Sequence, residues 1–191
     1  NLTITGSGTT ASPYVINASC CCSTHYPGEL YGGGVVFWVD QTGQHGLICS
    51  MIDLSTTQVW SNVSETLIGE TAQSDWDGNS NTTAITAQSG HTSSAAKLCA
   101  DYTNADYGTG TYNDWYLPSL GELNDLWYNL KTVQKALDTD GNGSTTTIPK
   151  NSYWSSSEST YDTAWTYYFY RGYLINASKQ DTSSVRAVRA F

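Results

Sequence analysis

The run Asp138-Thr-Asp-Gly-Asn-Gly143 places oxygen side chains at alternate positions, as in the first half of a loop that closes on calcium. Asp138, Asp140 and Asn142 are its candidate ligands. The twelfth position of such a loop is a bidentate Glu, and in this chain it is Pro149, so a helix-terminating Asp/Asn/Gly turn is the preferred reading. Asp75-Trp-Asp-Gly-Asn79 is a second oxygen cluster, again read as a turn. Asp114, Glu122 and Glu158 are the carboxylates from which a glycosidase pair would be drawn, and Ser155–Ser157 the run that would hold a nucleophile. Neither pattern closes. No G-x-S-x-G elbow surrounds the serines, Asp114 reads as a turn residue and Glu122 as a helix cap. His25, His45 and His91 are far apart and show no metal-site spacing. Cys20, Cys21 and Cys22 are consecutive, Cys49 and Cys99 stand alone, and no zinc-type Cys/His spacing occurs. With five cysteines, at least one is free or pairs between chains. An enzyme is therefore not expected.

The remaining chemistry is recognition by aromatic rings. Trp165, Tyr167 and Phe169 alternate with Thr166, Tyr168 and Tyr170, so a strand would put the two sets on opposite faces. The first set is assigned to the core. The second leads a candidate ligand-binding face between Ser159 and Asp181: Tyr161, Asp162, Thr166, Tyr168, Tyr170, Arg171, Tyr173, Asn176 and Gln180. Tyrosine among Asn, Ser and Thr is the composition of antibody paratopes, where stiff amphipathic rings give contact area at low entropy cost. Packing of this face on another subunit or sheet is the equal alternative. Trp38, Trp115, Trp127 and Trp154 are assigned to the core. The loops around Trp60 and Trp76 are the next candidates for binding.

These residues need elements to hold them. Leu2, Ile4, Tyr14 and Ile16 alternate around the turn-rich Gly6–Pro13, which predicts two short strands in residues 1–27, a shaft or linker segment with its boundary at Pro27-Gly28. Val35–Val39 and Gly46–Met51 predict a β-hairpin. Residues 52–90 read as irregular, with Trp60 and Trp76 as isolated anchors. Ser93–Tyr102 predicts a short helix. After Pro118, Ser119 and Glu122 form a capping box, and Leu120, Leu123, Leu126, Trp127, Leu130, Val133 and Leu137 mark one helix face. The tail from Ser152 is strand-like. Strands, two helices and strands again make an α+β domain over residues 28–191.

The chain has 191 residues and a net charge of −9 with eight Lys and Arg, too few to displace counterions from nucleic acid or to hold an anionic membrane surface. A polyanionic ligand would need a local basic patch, for which Arg171, Lys179, Arg186 and Arg189 are the candidates. No apolar run approaches the ~20 residues of a membrane helix. The acidic, Ser/Thr/Asn-rich composition reads as that of a secreted or particle-surface protein.

Gly32-Gly33-Gly34 within residues 28–51, Asp114-Trp-Tyr-Leu-Pro-Ser119, Tyr153-Trp-Ser-Ser-Ser-Glu158, Ala164-Trp165 and Val185-Arg-Ala-Val-Arg189 occur in order. Together they resemble the C-terminal domain family of collagen-like bacterial adhesins (the Lcl C-terminal domain) over residues 28–191. The tail also resembles the variable regions of diversity-generating retroelement proteins. The first resemblance implies a variant of the C-type lectin fold with two helices and antiparallel strands, at the tip of a trimeric surface fibre. It also implies a cysteine between the two final arginines that pairs with the helix cysteine. Ala187 stands there instead, leaving Cys99 without that partner. The calcium-bridging triplets of animal C-type lectins are absent.

The expected function is a receptor- or glycan-binding tip of a bacterial adhesin, phage fibre or injection-system fibre, extracellular on a cell surface or particle. A structural cap that trimerises a fibre without recognising a ligand is the alternative. An enzyme of the formylglycine-generating type is disfavoured, since Cys49 and Cys99 lie inside apolar elements. The expected partners are a cell-surface glycan or protein and two further copies of the chain, with no nucleic acid and no membrane insertion. No cofactor is expected, with calcium the one candidate.

Overall fold

The computed structural model describes residues 2–18, 24–108 and 110–191; Cys20, Cys21 and Cys22 lie outside them. The two N-terminal strands predicted from the sequence are present. β1 (Leu2–Thr5) and β2 (Val15–Ala18) pair antiparallel, with Ile4 opposite Ile16. Ile4 and Tyr14 stay mostly exposed.

Nine further strands follow: β3 (Leu30–Tyr31), β4 (Gly34–Val39), β5 (Gly46–Ser50), β6 (Ser55–Val59), β7 (Ser152–Glu158), β8 (Thr163–Tyr168), β9 (Tyr173–Ser178), β10 (Thr182–Val185) and β11 (Val188–Ala190). They form a four-stranded sheet in the order β11-β5-β4-β3 and a five-stranded sheet in the order β6-β10-β7-β8-β9. All pairings are antiparallel except β7 with β10, which is parallel through Ser184 opposite Tyr153. The chain is α+β, as expected.

Four α-helices, not two, lie among the described residues: α1 (Gly78–Thr86), α2 (Ala95–Ala100), α3 (Leu120–Tyr128) and α4 (Leu130–Thr139). The sequence reading missed α1, where Asn and Thr give little helix propensity. Tertiary bonds hold it instead. The Asp77 side chain caps its start by accepting from Ser80 N, and buried Asn81 both donates to and accepts from the main chain of Ser74. The helix predicted after Pro118 is divided at Asn129, whose φ of −100° and ψ of 8° interrupt it. Its Ser119–Glu122 capping box is present.

Successive residues of β4 and β7 enter different cores. Val35 and Tyr153 join a cluster with Leu123, Leu126, Val133 and Phe169. Val36 and Trp154 join another with Trp60, Ile85, Cys99 and Val185. The central strands are thus covered on both faces, which decides how β8 can be used.

Candidate functional site

The charged residues of the sequence motifs are engaged in the fold. Lys179 and Glu158 form a fully buried ion pair at 2.6 Å. The other Lys179 donors reach the carbonyls of Tyr161 (2.9 Å) and Thr66 (3.1 Å), while Glu158 accepts from the N–H groups of Ile68 and Gly69. Arg186 is buried against Asp53 at 2.7 Å and donates to the carbonyls of Ser50 and Thr146. Arg189 holds Asp114 through two bonds, of 2.6 and 2.9 Å, and donates to Gly32 O. The Arg189 guanidinium holds the Asp114 carboxyl below the usual carboxylate range. Glu122 accepts from Tyr116 Oη at 2.8 Å and Ser119 N at 2.7 Å, and burial pushes its carboxyl up.

This corrects the expected basic patch. Lys179, Arg186 and Arg189 are internal, and of that set only Arg171 is exposed. Ser155–Ser157 are buried, and their hydroxyls bind main-chain atoms and Asn81. Cys49 and Cys99 are buried and free, and burial raises the Cys49 thiol to about 11. Cys99 shares a cluster with Ala187, the position where the family resemblance implies its partner.

The nine residues of the expected binding face separate into three groups. Thr166 is a correction. It is 1% exposed and donates to Ile175 O, because it shares the β8 face of buried Ala164 while Tyr167 occupies the other core. Trp165, assigned to the core, is only half-buried. Tyr161, Asp162, Asn176 and Gln180 lie toward the far end of the β8–β9 ladder, which runs in register from Thr163 opposite Ser178 to Tyr168 opposite Tyr173. Five residue steps separate the ends, about 17 Å.

Tyr168, Tyr170, Arg171 and Tyr173 do come together, at the turn joining β8 to β9. The Tyr168 ring packs edge-on against Tyr173 at 5.3 Å and lies 6.0 Å from Tyr170. Lys150 and Arg171 each stand 5.8 Å from the Tyr170 ring centre. The turn is held from beneath. Gly172 adopts φ of 69°, and a Cβ there would collide with the Trp127 ring. Trp127 Nε1 also donates to Phe169 O at 3.2 Å. Trp127 is thus partly buried, packed against the core cluster of Leu123 and Phe169 while it supports this turn.

Next to this turn runs a groove of about 680 Å³ that the sequence reading did not anticipate. Its walls include Trp127, Tyr128, Lys131, Gln134, Lys135, Asp138 and Lys150. Of the eight basic residues, three are internal and Lys97 pairs with Asp101. The other four, Lys131, Lys135, Lys150 and Arg171, are exposed without an ion-pair partner among the described residues, and all gather at this groove and its rim. The helical spacing of Lys131 and Lys135 was a signal for two of them.

The calcium candidates do not converge. Asp138 lines this groove, whereas Asp140 accepts from Asn142 N, Thr145 Oγ1 and Tyr107 Oη. Asn142 Oδ1 accepts from Ser144 N at 3.0 Å. These oxygens are turned onto their own loop, as in a helix-terminating turn. Trp38, assigned to the core, is 39% exposed; of the two next candidates for binding, Trp76 is 77% exposed and Trp60 is buried.

A family model described as the Lcl C-terminal domain matches residues 50–189. No curated protein matches the chain. The matched span begins at the end of β5, yet β5 pairs with β11, so the preceding hairpin is integral to the same fold.

Proposed function

This chain belongs to the Lcl C-terminal domain family, an adhesin-like and not an enzyme family, and from that premise we propose that it is the receptor- or glycan-binding tip of a fibrous surface adhesin or tail fibre. The observation that carries the reading is the gathering of the four unpaired cations beside the Tyr168–Tyr170–Tyr173 cluster. On a chain of net charge −9 such a concentration needs a reason. A ligand with anionic groups, a glycan or an acidic protein surface, would meet the ammonium and guanidinium groups while its apolar parts lie on Trp127 and the tyrosines. The supported turn lets those rings bind with little further loss of freedom. In this reading the domain is a C-type-lectin variant, exposed at a cell or particle surface, and the β1–β2 hairpin covers its Ile4 and Tyr14 in a homotrimer. No described helix is long and apolar enough to cross a membrane.

The test is binding of the folded chain to an immobilised carboxylated, sulfated or neutral polysaccharide over a series of salt concentrations. Binding to a charged polymer that weakens with salt and is lost in Lys131→Ala/Lys135→Ala is expected. Binding to the carboxylated or sulfated polymer that ignores both salt and these substitutions refutes this face.

A further inference from the structure

A second cleft, of about 460 Å³, is lined by Trp38, Leu47, Trp76, Glu122 and Asp125 and contains no Lys or Arg. The Trp76 loop is fixed. Ser74 Oγ accepts from the main-chain N–H groups of Trp76 (3.2 Å) and Asp77 (3.0 Å), and Gly121 N donates to Asp75 O at 2.7 Å. The indole lies so close on the start of α3 that a Cβ on Gly121 would stand 2.7 Å from Trp76 Cε3. Even so, most of this ring faces water. Trp38 reaches the cleft through a bulge in β4. The register skips from Val36 to Trp38, so Phe37 remains in the core and Trp38 is turned outward. Large rings held in place and left wet are contact area prepared for something else.

The polar groups narrow what that is. Both oxygens of Glu122 are occupied by Tyr116 and Ser119. The Asp125 carboxylate has no hydrogen-bond or ion-pair partner among the described residues, and partial burial raises its pKa. Trp60, Trp115, Trp127 and Trp154 each donate their indole N–H to a main-chain oxygen. The indole N–H groups of Trp38 and Trp76 have no such acceptor among the described residues. The residues lining the cleft therefore carry two indole rings, two indole N–H donors and one carboxylate that no described group engages.

We propose that this cleft binds a neutral saccharide, with the C–H faces of the sugar on the indoles of Trp38 and Trp76 and its hydroxyls bonded to Asp125 and the indole N–H groups. An acidic sugar would place its charge beside Asp125 with no cation to offset it. An organic ammonium would suit the carboxylate and the rings but would leave both indole donors without acceptors. A hydroxylated ring supplies donors and acceptors together. This site goes beyond the basic groove and uses none of its residues.

The full chain is titrated with the methyl pyranosides of glucose, galactose, mannose and N-acetylglucosamine, with choline and glucuronate alongside, read by indole fluorescence and saturation-transfer NMR. Binding of at least one neutral pyranoside, but not of choline or glucuronate, is expected. Trp76→Ala should weaken it about ten-fold or more, and Asp125→Asn should weaken it too. If Trp76→Ala does not fold, Trp38→Ala carries the same expectation. Lys131→Ala/Lys135→Ala should leave pyranoside binding unchanged, which separates this site from the basic face. The proposal is overturned if no neutral pyranoside binds, if choline binds in a Trp76-dependent way, or if saccharide binding survives loss of the indoles.

Discussion

Replacing Lys179 by Met should be among the most damaging single changes in this protein. Lys179 and Glu158 are both fully buried, and among the described residues the ammonium is the only cation on that carboxylate. Its removal leaves a charge in the interior and strips the carbonyls of Tyr161 and Thr66 of a donor. Breaking a buried pair from one side costs about 3–5 kcal/mol, a large part of the ~5–15 kcal/mol that holds a domain of this kind together. At about 2–4 °C per kcal/mol for a chain of this size, melting should fall by roughly 6–20 °C. Lys179→Met/Glu158→Gln should recover about half, because the amide oxygen can still accept from Ile68 and Gly69 and its nitrogen can donate. Lys179→Met/Glu158→Leu should recover little, since both N–H groups are then orphaned. Urea unfolding at neutral pH gives the three values, and amide exchange at Ile68 and Gly69 reports the local loss. A Lys179→Met cost below ~1 kcal/mol, or full recovery with Leu, would refute the view that the pair works through its hydrogen-bonded surroundings.

Asp125→Asn should raise stability near neutral pH while weakening saccharide binding. Burial lifts the folded carboxyl pKa above its ordinary value of 3.8, so the folded state holds the proton longer and native stability falls as pH rises from that value through the raised one. Melting curves across this interval should show the fall in the parent and not in the variant. Tyr170→Ala and Tyr168→Ala should each cost on the order of 1–2 kcal/mol of binding at the basic face; a large drop in melting temperature with unchanged binding per folded molecule would make these rings structural. Cys49, raised to about 11 by burial, should resist thiol alkylation at neutral pH until the chain unfolds, and non-reducing peptide mapping should find no Cys49–Cys99 link. Light scattering of the chain with residues 1–27 present should give a trimer at micromolar concentration, and a monomer would remove the hairpin from the assembly.

The parts of this fold that follow a local rule were legible in the sequence. The capping box at Ser119 and Glu122 and the α3–α4 apolar face rest on spacing within one element, and the Val35–Val39 and Gly46–Met51 hairpin on a turn between two apolar runs. What escaped depends on partners distant along the chain. Helix α1 is weak by propensity and is fixed by Asn81 against Ser74 and by Thr82 accepting from Leu117 N. Thr166 obeys the period of two, but the period does not say that both faces of β8 are covered.

The charges show the same limit more sharply. Lys179, Arg186 and Arg189 looked like a basic patch because charge is presumed to face water; each instead is buried and finds a carboxylate and at least one carbonyl. Their withdrawal, with Lys97 paired to Asp101, gives the four unpaired surface cations their meaning, since in a chain this poor in basic residues they are concentrated at one groove and its rim. The tryptophans reverse in the opposite direction. Trp38 looked like a core residue by size, yet a strand bulge turns it into the open, and of the two tryptophan loops that were the next candidates for binding only that of Trp76, on its glycine shelf, leaves its ring exposed, Trp60 being buried. Both proposed binding surfaces lie where the fold departs from the usual placement of a residue type, and those departures are set by register and by long-range partners.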